Sequence, residues 1–236
     1  MNYGKGVLYM VPVPIGEVDP QWALPPATLK VLQQLTVIIS ENAKTTRALL
    51  KQIQTAVPLQ QIEVIQMEKH EQKVDFDLYF DKLRKGIDTG VMSESGMPGI
   101  ADPGSAFALQ AHRENIKVVP LTGPSSIFLA LSASGLNGQH FSFHGYLPKD
   151  NDERARKIAM LEKNSSRFSE TQLFIETPYR NQLLLNELLR NCNGNTLVCI
   201  ASDITGPNEF IKTLPVAEWK RNVPELPKLP TLFLLG

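Results

Sequence analysis

Apolar runs of strand length alternate along this chain with stretches whose apolar residues recur every three or four positions. That alternation predicts strands and amphipathic helices in turn. Val7–Val11 reads as a buried first strand. Ala27–Leu35 follows as a helix, with Leu29, Leu32 and Leu35 on one side. Val37–Ser40 is a short β-branched strand, Thr45–Ile53 a helix, and Phe76–Lys85 another, with Gly86 near its end. Thr89–Ser93 reads as a strand, Ser105–Arg113 as a helix, Lys117–Pro120 as a strand end and Ser125–Ala133 as an apolar helix. This strand–helix rhythm predicts a mostly parallel sheet with helices on both faces.

The polar segment Gly135–His140 then reads as an inter-domain linker. Beyond it the pattern restarts. Strands are expected at Phe141–Tyr146, Gln172–Glu176, Thr196–Ser202, Phe210–Thr213 and Thr231–Leu235, and helices at Asp152–Phe168 and Asn181–Arg190. Strands are closer together here, which predicts a mixed sheet. The expectation is an α/β chain of two α/β domains, 1–138 and 139–236.

Composition narrows the function classes. With 42% hydrophobic and 20% charged residues, this is an ordinary globular balance rather than a disordered one. Lys plus Arg and Asp plus Glu both number 24, so the net charge is zero. Affinity for a polyanion then has to rest on a local patch or a partner. No apolar stretch reaches membrane-spanning length, and Pro12 and Pro14 break the N-terminal run, so neither a membrane span nor a signal peptide is expected and the cytoplasm is the default. Two cysteines, Cys192 and Cys199, do not suggest a disulfide scaffold. His70, His112, His140 and His144 do not cluster at metal-ligand spacing, and no metal site is expected. There is no G-x-S-x-G elbow, which leaves hydrolase chemistry unsupported.

The candidate chemistry lies in loops that directly follow predicted strands. Val11-Pro12-Val13-Pro14-Ile15-Gly16 is the first. The second, Ser93-Glu94-Ser95-Gly96-Met97-Pro98-Gly99-Ile100-Ala101-Asp102-Pro103-Gly104, is too rich in Gly and Pro to continue a strand or helix, and it lets backbone approach a ligand closely. It has neither the Lys of a phosphate loop nor the spacing of a dinucleotide loop. Leu121-Thr122-Gly123-Pro124-Ser125-Ser126 and Phe143-His144-Gly145-Tyr146-Leu147-Pro148 are the third and fourth. Loops at the carboxyl ends of strands are where α/β sheets place ligands.

These four loops, with Phe174-Ile175-Glu176-Thr177-Pro178-Tyr179-Arg180, resemble the tetrapyrrole methylase superfamily. Within it they are most similar to the bacterial 16S ribosomal RNA 2′-O-ribose methyltransferases, which carry S-D-A-G-T-P-G-I-S-D-P-G, P-L-P-G-P-S-A, F-x-G-F-L-P and F-Y-E-S-P-H-R in this order. The resemblance implies S-adenosylmethionine bound in a cleft between two α/β domains, a homodimer, and ribosomal RNA or the small ribosomal subunit as partner. By matched position it implies cofactor contacts from Pro12, Ser95, Gly96, Met97, Ile100, Ser125 and Ser126, and from Tyr146, Glu176, Thr205 and Thr231 in the second domain. Glu41 is the candidate base or acceptor-orienting group, the other role open to it being a cap on the following helix; Asp102 and Glu176 are the other carboxylates near the loops. Lys44, Arg47 and Arg180 are candidates for phosphate contact, against an ordinary role as solvated surface charge.

The chain departs from the family pattern on the acceptor side. The family's E-D-T-R reads Glu41-Asn42-Ala43-Lys44, its L-T-K reads Ile204-Thr205-Gly206, and its G-N-L-x-D-I-x-x-R-A is replaced by Gly16–Ala27. The family also continues past the last strand into a basic helical tail, so a short form is expected. These losses keep two alternatives open: a tetrapyrrole or other small-molecule acceptor, and a cofactor-binding module without catalysis.

Overall fold

The computed structural model describes residues 4–68 and 75–236. The chain divides into two compact units, Met1–Ser125 and Ser126–Gly236.

In the first unit β1 (Val7–Met10) leads through α1 (Pro20–Ala23) and α2 (Pro26–Gln34) to β2 (Val37–Ser40). α3 (Ala43–Ile53), β3 (Glu63–Gln66), α4 (Phe76–Arg84), β4 (Thr89–Met92), α5 (Ser105–Arg113) and β5 (Lys117–Pro120) follow. The sheet order is β3-β2-β4-β1-β5, and every pairing is parallel. Neighbouring residues of β2 point to opposite faces. Ile38 packs with Leu32 of α2, with Leu35 just after it, and with Leu49 and Leu50 of α3, whereas Ile39 packs with Phe80, Leu83 and Phe107 of α4 and α5. Helices of leftward connections thus share one face and those of rightward connections the other, as a single crossover hand requires. All five strands end at the same edge, which collects the loops after β1, β2, β4 and β5.

Helix boundaries follow local chemistry. Asp19 caps α1 by accepting from the Gln21 amide at 2.9 Å. Pro26 stands at the first turn of α2, where its missing amide costs nothing. Asn42 caps α3 through the Lys44 amide at 3.0 Å. The helix cap at this point is therefore Asn42 and not Glu41.

The second unit begins with α6 (Ser126–Ser134), then β6 (Phe141–Tyr146), α7 (Asn151–Phe168), β7 (Thr171–Glu176), α8 (Asn181–Asn191), β8 (Leu197–Ser202), β9 (Phe210–Pro215), α9 (Val216–Trp219) and β10 (Thr231–Leu235). Its sheet order is β6-β7-β10-β8-β9, parallel only between β6 and β7. Ile127, Ala130 and Leu131 of α6 cover one face, against Leu173, Cys199, Leu232 and Leu234. Ile158, Leu161, Leu184, Leu188 and Trp219 of α7, α8 and α9 cover the other, against Phe174, Val198 and Phe233. Because α6 packs on this sheet, the division falls at Ser125/Ser126 rather than at 138/139. Gly135–His140 is a turn within the second unit. β3, α1 and α9 are additions to the elements expected from the sequence.

Arg154 of α7 is 1% exposed yet charged. Its guanidinium donates to both Glu187 oxygens, to the Pro148 and Lys149 carbonyls and to Asn151 Oδ1. Full hydrogen bonding is the condition under which a buried charge persists. This cluster ties the turn after β6 to α7 and α8.

Candidate functional site

At the carboxyl edge of the first sheet, pairing continues past the strands. The Val11 amide donates to the Val91 carbonyl at 2.9 Å and the Val13 amide to the Gly96 carbonyl at 2.8 Å. The loop after β1 is thereby joined to the loop after β4. Leu121 donates its amide to the Met10 carbonyl at 3.0 Å, and the hydroxyl of buried Thr28 donates to the Thr122 carbonyl at 2.6 Å. These bonds bring the loop after β5 onto the same ledge. Gly123 lies against Pro12 so closely that an added Cβ would stand 2.3 Å from its Cγ. Only glycine permits that approach.

The glycine–proline loop folds on itself, with the Gly99 amide donating to Pro103 at 3.0 Å and the Ile100 amide to Met97 at 3.2 Å. Ala101 holds φ +62°, a left-handed conformation uncommon for a residue with a side chain. Such strain clusters at functional loops. Pro12 and Gly96 are buried, Met97 is half-buried, and Ser95 and Ile100 face outward. Ser125, buried, ends the first unit, and Ser126 is the first residue of α6. The structure thus gathers Pro12, Ser95, Gly96, Met97, Ile100 and Ser125 on joined loops at one sheet edge.

Beside this ledge, on the α3 side, lies a cleft of about 860 Å³. Val13, Pro14 and residues 16–20 form one wall, Thr45, Thr46, Ala48, Leu49 and Gln52 of α3 the other, and Met92, Ser93 and Glu94 the floor. Lys44 and Arg47 are exposed on α3, as is Lys51 one turn beyond, and none forms an ion pair among the described residues.

Three carboxylates meet at the ledge. Glu41 Oε2 accepts from the Glu94 amide at 3.1 Å, and Asn42 Nδ2 donates to Glu94 Oε1 at 2.6 Å. Burial pushes the Asp102 carboxyl up to about 6, with the charges of Glu41 and Glu94 adding to the effect. Asn42 now has a physical reason. The aspartate of the family pattern would set another negative charge against Glu94, whereas the amide donates to it. The half-burial of Asp102 among like charges is a three-dimensional property that the sequence does not carry.

In the second unit the expected residues also converge. Tyr146 is paired in register with Ile175, and Thr231 with Glu176 and Ser202. Tyr146, Glu176, Ser202 and Thr231 therefore share one end of the sheet, and Tyr146 is 63% exposed there. Asn181 Nδ2 donates to Thr231 Oγ1 at 3.0 Å, and Thr231 Oγ1 lies 2.9 Å from Ser202 Oγ. Two buried acceptors at this end, Glu176 Oε2 and Asn181 Oδ1, have no hydrogen-bond donor. Arg180 Nη2 stands 3.0 Å from Glu176 Oε2, an ion pair without hydrogen-bond geometry, so Arg180 is already engaged by a carboxylate. Thr205 follows β8 with φ +67°, an outlier for a β-branched residue. At Gly206, an added Cβ would meet the Asp203 carboxyl at 2.2 Å, and that carboxyl accepts from the Asn208 amide at 2.9 Å. The place of the family's lysine is thus occupied by a turn that Asp203 closes.

Among the described residues no three His, Cys, Asp or Glu side chains converge as metal ligands; His70 lies outside them. No helix among them is long and apolar enough to cross a membrane.

A parallel α/β unit with joined loops at its carboxyl edge, followed by a mixed α/β unit, is the build of a two-domain methyltransferase. The sequence matches the family described as Tetrapyrrole (Corrin/Porphyrin) Methylases over residues 7–220, and the chain belongs to that family. It is 33% identical to the Ribosomal RNA small subunit methyltransferase I of Vibrio cholerae over 91% of this chain and 70% of that one. It is 29% identical to the protein of that name from Pseudomonas aeruginosa over 90% and 71% of the two chains. Among solved structures it resembles a cobalt precorrin-4 methyltransferase (TM-score 0.60, 17% identity, 97% of this chain and 94% of that one). A Thermus thermophilus uroporphyrin-III-C-methyltransferase is similar at TM-score 0.57 and 18% identity over 98% and 94%. The chain is an S-adenosylmethionine-dependent methyltransferase. The joined, glycine- and proline-rich loops of the first unit let backbone come close to a flat ring, which fits that cofactor.

Proposed function

We propose that this chain methylates the 2′-hydroxyl of a ribose in ribosomal RNA. The observation that carries the acceptor is the 33% identity, over 91% of the chain, to a protein named as a ribosomal RNA small subunit methyltransferase. The cofactor supplies a methyl on a positively charged sulfur, so the leaving group is already activated. Pro12, Ser95, Gly96, Met97, Ile100, Ser125 and Ser126 hold it, together with Tyr146, Glu176, Thr205 and Thr231. Alignment of acceptor oxygen, methyl carbon and sulfur is the main task, worth roughly 7–11 kcal/mol of barrier. The oxygen–carbon bond forms as the carbon–sulfur bond breaks, and the hydroxyl proton passes to a carboxylate. Asp102, whose burial sets its pKa near neutrality, suits that base role better than Glu41, whose carboxylate is engaged by the Glu94 amide. Glu41 then holds the loop after β4 in place.

The cleft beside α3 receives the acceptor, with Lys44 and Arg47 at its phosphates. Arg180, paired with Glu176, serves to hold that carboxylate. The chain works as a homodimer in the cytoplasm. Half-exposed Phe128, edge-to-face with Phe141 at 6.0 Å, gives an apolar patch of the kind a second copy covers. The test is transfer of labelled methyl from S-adenosylmethionine to small ribosomal subunits that lack the modification. Label in a ribose of the RNA is the expected result; label in protein only, or none, overturns the reading. Light scattering of the purified chain tests the dimer.

A further inference from the structure

A chain with no net charge has to hold RNA through local patches, and α7 carries one that the family motifs do not assign. At 100° per residue, Arg156, Lys163 and Arg167 fall within about 20° of one line along the helix. They stand about 10.5 Å and about 6 Å apart along its axis. All three are exposed, and none has a carboxylate partner among the described residues. The cations at the end of α4, and Lys85 that caps it, differ. Lys82 pairs with Glu63, Arg84 with Asp77 and Glu114, and Lys85 with Asp81. Of the acids near the α7 line, Glu162 is committed elsewhere, accepting from Asn193 and Thr196, and Asp152 and Glu153, one turn before Arg156, form no ion pair with it. Beside the line stands exposed Phe168, with the Arg167 guanidinium 5.0 Å from its ring centre.

We infer that the outer face of α7 is an RNA-binding track, in which Arg156, Lys163 and Arg167 contact successive backbone phosphates and Phe168 offers its ring to an unstacked base. Unpaired cations beside an aromatic are the combination that single-stranded RNA selects. This rests on the ribosomal RNA reading and adds to it a second contact surface, on the other unit from Lys44 and Arg47. The track supplies affinity and takes no part in the chemistry.

The test measures binding of a fluorescein-labelled single-stranded RNA oligonucleotide across a salt series. The proteins are the wild-type chain, the triple variant Arg156→Gln, Lys163→Gln and Arg167→Gln, and a control of equal charge, Lys30→Gln, Lys82→Gln and Lys85→Gln. Loss of three phosphate contacts should make the slope of log affinity against log salt shallower by about 2 and weaken binding about tenfold or more at moderate salt. The Kd for S-adenosylhomocysteine and the Tm should stay at wild-type values, and the control should bind as wild type does. An unchanged slope in the triple variant, or an equal change in the control, overturns the track. If that happens while wild type still methylates small subunits, the ribosomal RNA reading stands without it. A wild type that neither methylates them nor shows salt-dependent binding overturns both.

Discussion

Replacing Gly123 by alanine adds a single methyl group at the point where the loops after β1 and β5 touch. That methyl would lie 2.3 Å from Pro12 Cγ, 2.4 Å from Pro12 Cβ and 3.4 Å from Leu24 Cδ2. Carbon atoms rest at about 3.5–4.0 Å, so the loops must separate by roughly 1–1.5 Å. Neither side yields easily. Pro12 is a rigid ring between Val11 and Val13, whose amides are bonded to the Val91 and Gly96 carbonyls. Opposite it, Leu121 and Thr122 are held by Met10 and Thr28. Overpacking of this kind costs about 1–3 kcal/mol. A displacement near 1 Å in a group that aligns the reaction lowers the rate about 100-fold. Urea unfolding measures the first quantity; calorimetry with S-adenosylhomocysteine and single-turnover methyl transfer measure the second. Gly138→Ala, where nothing stands within 4 Å, is the control and should match wild type. Wild-type affinity and rate in Gly123→Ala, with stability within about 0.5 kcal/mol, would refute the joined-loop argument.

Arg154→Met leaves Glu187 buried and unpaired and should cost about 3–5 kcal/mol by chemical denaturation, whereas the double change with Glu187→Leu should recover most of it; a single variant as stable as wild type contradicts the buried pair. Asp102→Asn should slow methyl transfer about 10²–10⁴-fold and remove a rise in single-turnover rate through about pH 6, and an unaltered pH profile would exclude Asp102 as base. The same carboxyl sets a pH dependence of stability. Its folded pKa lies above the ordinary value, so the native state binds the proton more tightly, and its contribution, full below the ordinary value of 3.8, is lost as pH rises through about 6; Asp102→Asn should flatten that slope. Burial pushes the Cys192 thiol up to about 12 and raises Cys199 as well, so both should resist thiol reagents at pH 8 until the protein unfolds; fast labelling of the native chain would refute this.

Much of this architecture is legible in the one-dimensional pattern. The β-branched run at Val37–Ser40 and the small, apolar stretch at Thr89–Ser93 mark central strands because buried parallel strands are covered on both faces. The Gly–Pro density of Ser93–Gly104 marks the loop that stands between β4 and α5. What escapes the pattern has physical reasons. β3, Glu63–Gln66, is a four-residue edge strand whose ends are exposed, so its burial signal is faint. Ser125–Ala133 reads as a helix, but nothing in a uniformly apolar stretch says which sheet it covers, and the domain boundary moves with it. Arg154 lies among the many charges of α7 and looks like one more solvated cation until packing buries it. The standing of Glu41 and Asp102 depends on which carboxylate meets an amide and which is half-buried beside like charges, and spacing carries neither fact.

The account stands on the loops after β1, β4 and β5 forming the cofactor's seat. Hydrogen–deuterium exchange of the wild-type chain with and without saturating S-adenosylhomocysteine tests this most directly. Protection should appear in residues 11–16, 93–104 and 121–126, and α4, on the far side of the first sheet, should exchange as before. Calorimetric binding accompanied by unchanged exchange in those three loops would contradict it.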